Sequence, residues 1–198
     1  MVTKLHEAVV IGGSAGSFKV LCRLLNTLPI EFPIPIVVVQ HVWKYTDGLV
    51  AETLNQISSL HVMEAEEKIS PRKAHVYLAP GGYHLLFERD KTFSLSIDPP
   101  VNYSRPSIDV LFYSAAEAFG ESLIAVLLTG ANADGAKGLK AIKDAGGVVI
   151  VQDPETAESS YMPQMALKMS PAAHTASIEQ IGELLLRLTA TQETPDEP

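Results

Sequence analysis

Cysteine is almost absent from this chain, since Cys22 is the single one among 198 residues. One cysteine excludes an internal disulfide and any metal site built from several thiolates, and it is typical of proteins in a reducing compartment. Cys22 falls near the apolar face of the first predicted helix. It is therefore interpreted as a small core residue rather than a nucleophile.

Long hydrophobic runs are missing as well. The longest ones, residues 36–39 and 123–128, are far shorter than the roughly 18 residues that a membrane-spanning helix needs. Residues 1–7 lack the charged and then apolar pattern of a signal peptide. These absences predict a cytoplasmic protein without membrane insertion.

Basic residues are in deficit, because 15 Lys and Arg stand against 23 Asp and Glu and give a net charge of -8. A chain this acidic is poorly suited to bind nucleic acid or an anionic membrane through bulk charge. Its composition is that of a globular protein, with 46% hydrophobic and 19% charged residues. A length of 198 residues predicts one domain, or at most two very small ones.

Signatures of nucleotide and metal binding are lacking too. The glycine-rich stretch 12–17 follows a predicted strand, but it does not have the G-x-G-x-x-G spacing of a dinucleotide loop. The next strand ends in Gln40 and His41, where a ribose-binding acid would be expected. The six histidines are scattered without metal-ligand spacing. No cofactor and no metal are expected, and nucleotide binding is the disfavoured alternative for this loop.

Short apolar strands alternate with helical patterns along the chain. Buried strands are predicted at 8–11, 36–39, 123–128 and 148–151, and helices at 17–28, 47–57, 105–119, 136–145 and 178–188. Three segments in the middle, 75–78, 84–88 and 92–97, are predicted as strands with hairpin-like turns. The pattern favours an α/β fold with a mostly parallel, doubly wound sheet and a small hairpin element in the middle of the chain.

Three chemically useful residues directly follow predicted parallel strands. Ser14 follows the first strand between glycines, His41 the second, and Asp134 comes shortly after the third. Because ligands bind outside the carboxyl ends of such strands, a nucleophile, a base and an acid can meet in one cleft. Each also has a structural interpretation, as a helix cap, a satisfied histidine or a turn residue. Their joint placement favours catalysis.

Five motifs in fixed order make the sequence similar to a known family. The chain resembles the catalytic domain of the CheB family of chemotaxis methylesterases from residue 8 to residue 188. The motifs are V-I-G-G-S-A-G at 10–16, V-Q-H at 39–41, A-P-G-G-Y-H-L at 79–85, R-P-S-I-D-V-L-F at 105–112, and L-L-T-G through D-G at 127–135. The resemblance implies a three-layer α/β/α catalytic domain over 1–188. Residues 189–198 are expected to form a polar, disordered tail.

The resemblance also implies a reaction. The family hydrolyses glutamate methyl esters on the cytoplasmic helices of methyl-accepting chemoreceptors, giving glutamate and methanol, and some members deamidate glutamine at the same sites. By motif position Ser14 is expected to be the nucleophile, His41 the general base and acid, and Asp134 the orienting carboxylate. The acidic chain offers no bulk attraction toward acidic receptor helices, so recognition should depend on the local cleft.

Four further residues are candidates for the cleft. The backbone N–H of Ala15 is the first candidate donor to the oxyanion, and the segment 130–131, with Ala131, is the second. His84 is either a cleft residue or a support of the hairpin loop. Arg105 either approaches the substrate or, as we favour, anchors the start of the helix that follows it.

The chain departs from the family pattern near the expected site. Ser14 is followed by Ala15 and Ser17 where the family has threonine and a glycine, and Asn132 replaces a glycine before the aspartate. Trp43, after the histidine, could stack in a substrate groove or pack on the core. These departures leave a second hypothesis, in which the chain is a non-catalytic or differently tasked signalling scaffold.

Regulation is a separate expectation. In the family this domain commonly follows a phosphorylatable receiver domain of a phosphorelay, and these 198 residues have no length for one. We expect constitutive activity or control by a separate regulatory protein. A phosphodonor added to the purified chain should therefore leave its rate of methanol release unchanged, and stimulation would contradict this prediction.

Overall fold

The structure is a computed structural model, and it describes residues 5–41, 48–171 and 173–190. The strands in this part of the chain are β1 (Ala8–Gly13), β2 (Ile36–Gln40), β3 (His61–Glu64), β4 (His75–Leu78), β5 (His84–Phe87), β6 (Phe93–Ser96), β7 (Leu123–Leu127), β8 (Val148–Gln152) and β9 (His174–Ala176). The helices are α1 (Ser17–Asn26), α2 (Leu49–Ile57), α3 (Ile108–Phe119), α4 (Ala136–Asp144), α5 (Tyr161–Met169) and α6 (Ile178–Thr189), with a short 3₁₀ turn at Gly120–Ser122.

Seven of the strands form one sheet in the order β3-β4-β2-β1-β7-β8-β9. Every neighbouring pair in it is parallel, and β1 lies at the centre with Val10 opposite Val37 of β2 and Ala125 of β7. Such a sheet needs cover on both faces, which explains why β1, β2 and β7 are buried along their whole length. The predicted parallel α/β fold is confirmed.

Alternate residues of each central strand serve two separate cores, because side chains point to opposite faces with a period of two. On one face, Val10 packs with apolar residues of α3, α4 and α5 and of the hairpin. On the other face, Val9 and Ile11 pack with α1, α2 and α6. The molecule therefore has three layers, as the resemblance implied.

The middle of the chain differs from the prediction in one respect. β5 and β6 form the predicted antiparallel hairpin around Asp90 and Lys91. β4, however, pairs in parallel with β2 and β3 in the main sheet and makes no hairpin with β5. The predicted hairpin turn at the glycine pair 81–82 is wrong, since a four-residue apolar strand fits either kind of sheet and its sequence does not decide between them.

Three elements have no counterpart in the prediction, namely β3, α5 and β9. β3 and β9 are the two edge strands, of four and three residues, and they are partly exposed. Short, half-exposed edge strands show little apolar periodicity. α5 carries Pro163 at its third residue. A proline in a sequence usually signals a helix break, but the first turn of a helix tolerates it.

The helix ends follow local chemistry. α3 begins at Ile108 rather than at residue 105, because its first amides bond to a side chain from another loop, described below. α1 ends at Asn26, two residues before the predicted end. α6 extends to Thr189 behind a capping box of Ser177 and Gln180. The tail was predicted to begin at residue 189, but Thr189 is the last residue of α6. The predicted cap of α2 at residue 47 and residues 191–198 of the predicted tail lie outside the described residues.

The chain reverses its winding direction between β1 and β7. The helix after β1, α1, packs on one face of the sheet, while the helix after β7, α4, packs on the other. Loops that part in this way leave a crevice at the carboxyl ends of the two strands, which is where open α/β sheets bind ligands. Ser14 lies at the end of β1 and Asp134 lies in the loop after β7, so the crevice lies between candidate residues.

Gly138 of α4 lets this helix approach α3 closely. A Cβ at this position would lie 2.5 Å from Cβ of Phe112 and 3.1 Å from the carbonyl oxygen of Asp109. We expect Gly138→Ala to lower the free energy of unfolding by about 1–3 kcal/mol through overpacking, although alanine favours a helix by about 1 kcal/mol. Urea denaturation measures this, with exposed Lys137→Ala in the same helix as control. A variant as stable as the control would contradict the close packing.

Candidate active site

The first candidate residue, Ser14, lies where β1 turns into α1. Its N–H donates to the carbonyl of Thr129 at 3.0 Å, which continues the β1–β7 pairing by one residue. Gly16 then takes a left-handed backbone with φ of 78° and is the N-cap of α1. A side chain at Gly16 would collide with Glu158 as well as strain the backbone. Glycine is needed here for the sharp turn that presents the Ser14 hydroxyl.

Two polar side chains that the sequence did not identify as functional support this turn. The Ser17 hydroxyl lies 2.5 Å from the Ser14 carbonyl oxygen and 2.5 Å from Oε1 of Gln40, and both residues are buried. The Gln40 Nε2 also donates to the Ser14 carbonyl at 3.2 Å. The serine in place of the family's glycine at position 17 is therefore accommodated, since its single hydroxyl proton has two acceptors beside the nucleophile loop.

His41 follows β2 and lies between the two other candidates. Its N–H donates to the Gly13 carbonyl at 3.0 Å, which holds its backbone beside β1. Its Nδ1 lies 3.2 Å from Oγ of Ser14, and its Nε2 lies 2.9 Å from Oδ2 of Asp134. With the proton on Nε2 donated to Asp134, Nδ1 offers its lone pair to the serine proton. The structure brings the three predicted residues together in one chain of hydrogen bonds.

Asp134 is fully buried and accepts hydrogen bonds on both oxygens. Oδ2 accepts the N–H of Ile108 at 2.7 Å besides that of His41. Oδ1 accepts from Nδ2 of Asn102 at 2.9 Å, the Ser107 hydroxyl at 2.8 Å and the Asp109 N–H at 3.1 Å. The carboxylate thus caps the first turn of α3 from another loop, where the positive end of the helix dipole favours a negative charge.

The surroundings of Asp134 favour its ionised form. Burial raises the pKa of a carboxyl, but the hydrogen bonds from His41, Asn102, Ile108 and Ser107 together hold the pKa of Asp134 below its ordinary value. In contrast, burial raises the pKa of Asp109, with the nearby Asp134 charge adding to the rise. The carboxylate beside the histidine is therefore charged when the reaction needs it.

The lowered pKa makes Asp134 a source of acid sensitivity. Its stabilising contribution is present above the unfolded-state pKa of about 3.9 and is lost as the pH falls through the lower folded-state pKa. We expect the difference in unfolding free energy between the wild-type chain and Asp134→Asn to shrink as the pH is lowered from about 7 to about 3. Urea denaturation across that range measures it. The raised pKa of Asp109 changes the unfolding free energy with pH in the opposite direction. Because Asp109 is present in both proteins, the difference between wild type and variant is the quantity to follow. A constant difference would contradict the prediction.

The two candidate oxyanion donors belong to exposed residues near the nucleophile in the chain or in space. Gly130 contacts Ser14 closely, since a Cβ added to Gly130 would lie 3.0 Å from Cβ of Ser14, and Ala131 follows it. Within the part of the chain that the structure describes, neither Ala15 nor Ala131 donates its N–H to a hydrogen bond. Both residues are exposed, and their amides stay the predicted oxyanion donors.

The side chains of His84 and Arg105 both hydrogen-bond to the backbone of neighbouring loops. His84 is 1% exposed, its Nδ1 accepts the Ser107 N–H at 3.2 Å, and its Nε2 lies 3.2 Å from the Pro99 carbonyl. With both ring nitrogens engaged, it supports the loop before α3, and a cleft position for it is wrong. Arg105 donates to the carbonyls of residues 97 and 98 at 2.5 and 2.9 Å. These bonds anchor the loop after the hairpin, and the choice of an anchoring role over an approach to the substrate stays a prediction.

The remaining departures are structurally mild. Oδ1 of Asn132 accepts the Asp134 N–H at 3.1 Å, so the side chain that replaces glycine shapes the turn presenting the aspartate. The Ala15 carbonyl accepts the Thr129 hydroxyl at 3.0 Å. Trp43 lies outside the described residues. Cys22 is half-buried against the α1 core, and burial raises the pKa of its thiol, which disfavours the reactive thiolate.

Two kinds of feature are absent from residues 5–41, 48–171 and 173–190. No group of three or more His, Cys, Asp or Glu side chains there could hold a metal ion. No helix there is both long and apolar enough to cross a bilayer.

Comparison with known proteins identifies relatives over nearly the whole chain. The family model described as CheB methylesterase matches residues 9–185. A protein of Leptospira interrogans, provisionally named a protein-glutamate methylesterase/protein-glutamine glutaminase, is 50% identical over 183 residues, covering 92% of this chain and 95% of its own length. A protein-glutamate methylesterase/protein-glutamine glutaminase of Geobacter metallireducens is 40% identical over 95% of this chain, which spans 54% of that longer relative.

A solved structure agrees with the sequence relatives. The crystal structure of the Thermotoga maritima CheB methylesterase catalytic domain is 36% identical in sequence and superposes with a TM-score of 0.89. The similarity covers 92% of this chain and 98% of that domain. The same fold and a similar sequence thus extend over the sheet, the hairpin and the crevice.

Proposed function

Since this chain belongs to the CheB methylesterase family, we propose that it is a serine hydrolase that cleaves glutamate methyl esters on methyl-accepting chemoreceptors. The products are glutamate and methanol, and glutamine at the same sites is deamidated by the same steps with ammonia as the leaving group. The observation that carries this proposal is the chain of hydrogen bonds from Ser14 through His41 to Asp134. The family relationship supports an enzyme rather than a non-catalytic scaffold.

Ser14 is the nucleophile of the first step. Its Oγ attacks the ester carbonyl carbon while the proton passes to Nδ1 of His41, 3.2 Å away. Asp134 accepts a hydrogen bond from the Nε2–H throughout, so it fixes the tautomer and stabilises the imidazolium that forms. The ring is oriented oppositely to the usual serine protease arrangement, in which Nε2 faces the serine. This orientation still allows catalysis, because the nitrogen that faces the serine acts as the base while the other donates its proton in a hydrogen bond to the carboxylate.

The tetrahedral intermediate places a negative charge on the former carbonyl oxygen. The amides of Ala15 and Ala131 donate to this oxygen, and the N-terminus of α1 adds its dipole. Collapse of the intermediate breaks the bond to the methoxy oxygen, which takes the proton from His41 and leaves as methanol. Water then attacks the acyl-enzyme, gives its proton to His41, and releases glutamate as the Ser14 hydroxyl is restored.

The cellular setting belongs to the same proposal. The substrate helices lie in the cytoplasmic part of the receptors, and we place this chain in the cytoplasm with them. Recognition depends on the crevice, because the net charge of -8 provides no long-range attraction to acidic helices. Control by a separate regulatory protein stays a prediction.

The decisive experiment measures methanol released when the purified chain is mixed with methylated receptor. A fluorophosphonate probe applied in parallel should label the chain at Ser14, as located by peptide mapping. Methanol release together with labelling supports the proposal. A folded chain that labels but releases no methanol would show that the activated serine acts on another ester, such as a small molecule.

A further inference from the structure

A second buried carboxylate lies beside the one that orients His41. Asp109, in the first turn of α3, is 3% exposed, and its Oδ1 accepts the Gly138 N–H at 2.7 Å. It takes no part in the proton transfers described above. Two carboxylates buried together repel each other unless donors lie between them. The donor that lies between these two is a single side chain.

That side chain is Asn102. Its Nδ2 lies 2.9 Å from Oδ2 of Asp109 and 2.9 Å from Oδ1 of Asp134. An amide nitrogen carries two hydrogens, so it can donate one to each carboxylate. The amide must have its nitrogen on this side, because its oxygen would face two carboxylate oxygens. Asn102 therefore bridges the two acids with both of its side-chain donors.

The backbone around Asn102 is shaped to deliver this amide. Val101 and Ser104 exchange two backbone hydrogen bonds, at 3.1 and 2.9 Å, across a two-residue turn. Asn102 and Tyr103 both have positive φ, of 51° and 64°, as in a type I′ turn. Asparagine tolerates this conformation, whereas tyrosine is strained in it. Tyr103 is fully exposed, so the turn is not held by packing of its tip.

We infer that Asn102 is a positioning residue for the hydrolysis, whose amide separates Asp109 from Asp134 and holds the Asp134 carboxylate in the orientation that His41 requires. This inference rests on the proposed function, since it assigns the residue to the same site. Asn102 acts through Asp134 and does not itself touch the substrate.

The charges around Asp134 indicate what the amide contributes. The groups that face it are His41 from the loop after β2 and Asp109 from α3, with Tyr113 one turn farther along α3 beside Asp109. The Asn102 hydrogen bonds lower the pKa of both carboxyls. Without the amide, the two acids lose the one side-chain donor that they share, and Asp134 takes up a proton at higher pH.

Asn102→Gly tests this without disturbing the backbone, because glycine adopts positive φ freely. We expect kcat for methanol release to fall about 10- to 100-fold through loss of alignment, with KM within about two-fold. The acidic limb of the pH–rate profile should move to higher pH. Fluorophosphonate labelling of Ser14 should slow by the same factor as kcat. Asn102→Asp, of the same shape but placing a third carboxylate between the other two, should be slower still.

Tyr103→Gly is the matched control. It places a glycine at the other left-handed position of the same turn and leaves the Asn102 amide in place. Its labelling rate and pH profile should therefore equal those of the wild type. Wild-type labelling rate and pH profile in Asn102→Gly would overturn the inference. A slower Asn102→Gly whose pH profile is unshifted and whose unfolding free energy has dropped would also overturn it, because that is a purely structural role.

The labelling measurements separate this inference from the proposed function. A wild-type chain that labels but releases no methanol contradicts the proposed substrate alone, and the variants are then compared by labelling rate. A folded wild-type chain that does neither overturns both.

Discussion

Replacing Ser14 with alanine is expected to abolish methanol release while leaving the fold intact. Loss of the nucleophile in a serine triad lowers kcat by about 10⁴- to 10⁶-fold. The Ser14 hydroxyl contacts only the ring of His41, at 3.2 Å, among the described side chains. Its removal takes a partner from Nδ1 of His41, whose side chain keeps 12% exposure, so water can replace the hydroxyl and the free energy of unfolding should change by less than about 0.5 kcal/mol.

The measurement is methanol release from methylated receptor, with urea denaturation of the same sample. Ser94→Ala, in β6 of the hairpin, is the control, and we expect it to keep wild-type activity. Activity retained by a folded Ser14→Ala chain would rule out the triad as assigned. Loss of activity together with loss of the folded state would contradict the contacts described for Ser14.

Replacing Asp134 with asparagine should damage both catalysis and stability. Oδ1 of Asp134 accepts three hydrogen bonds, so the amide oxygen of asparagine will take that place and its nitrogen will face the Ile108 N–H and His41. The nitrogen then donates to Nε2 of His41, which leaves the ring proton on Nδ1 and the wrong tautomer toward Ser14. A tautomer error of this kind costs about 10⁴-fold in kcat.

The same substitution leaves the N–H of Ile108, at the start of α3, without an acceptor. A buried donor that loses its partner costs about 1–3 kcal/mol. Kinetics and urea denaturation on one preparation measure both effects. Asp144→Asn, an exposed carboxylate in α4, is the control and should change neither quantity. A variant with reduced activity but wild-type stability would contradict the capping role of Asp134.

The central part of the fold was predictable because its signals are local. β1, β2, β7 and β8 are continuous apolar runs, and α1, α4 and α6 have clear apolar faces. The edge strands β3 and β9 were not predictable, since their pairing depends on neighbours that lie far away in the sequence. The partner of β4 was misassigned for the same reason.

At the site, the strand ends predicted which residues meet but not what supports them. Ser14, His41 and Asp134 follow strands that are neighbours in a parallel sheet, which is a topological inference. The supporting hydrogen bonds come from Asn102, Ser17 and Gln40. Each of them depends on the orientation of one side chain in the folded structure. No spacing rule reports such contacts. A polar residue buried at the end of a strand, such as Gln40, is the one signal that could have drawn attention to them.

The placement of Asp134 at the start of α3 bears on how relatives of this chain could lose activity. A lineage that no longer needs the reaction can replace Ser14 or His41 at little structural cost, since neither side chain caps a helix. It cannot discard the aspartate so easily, because Ile108, Asp109 and Ser107 depend on it for their hydrogen bonds. In a degenerate member of the family the acid should therefore outlast the nucleophile. An aspartate at this position is by itself a marker of the fold, and the serine and histidine are the markers of an enzyme.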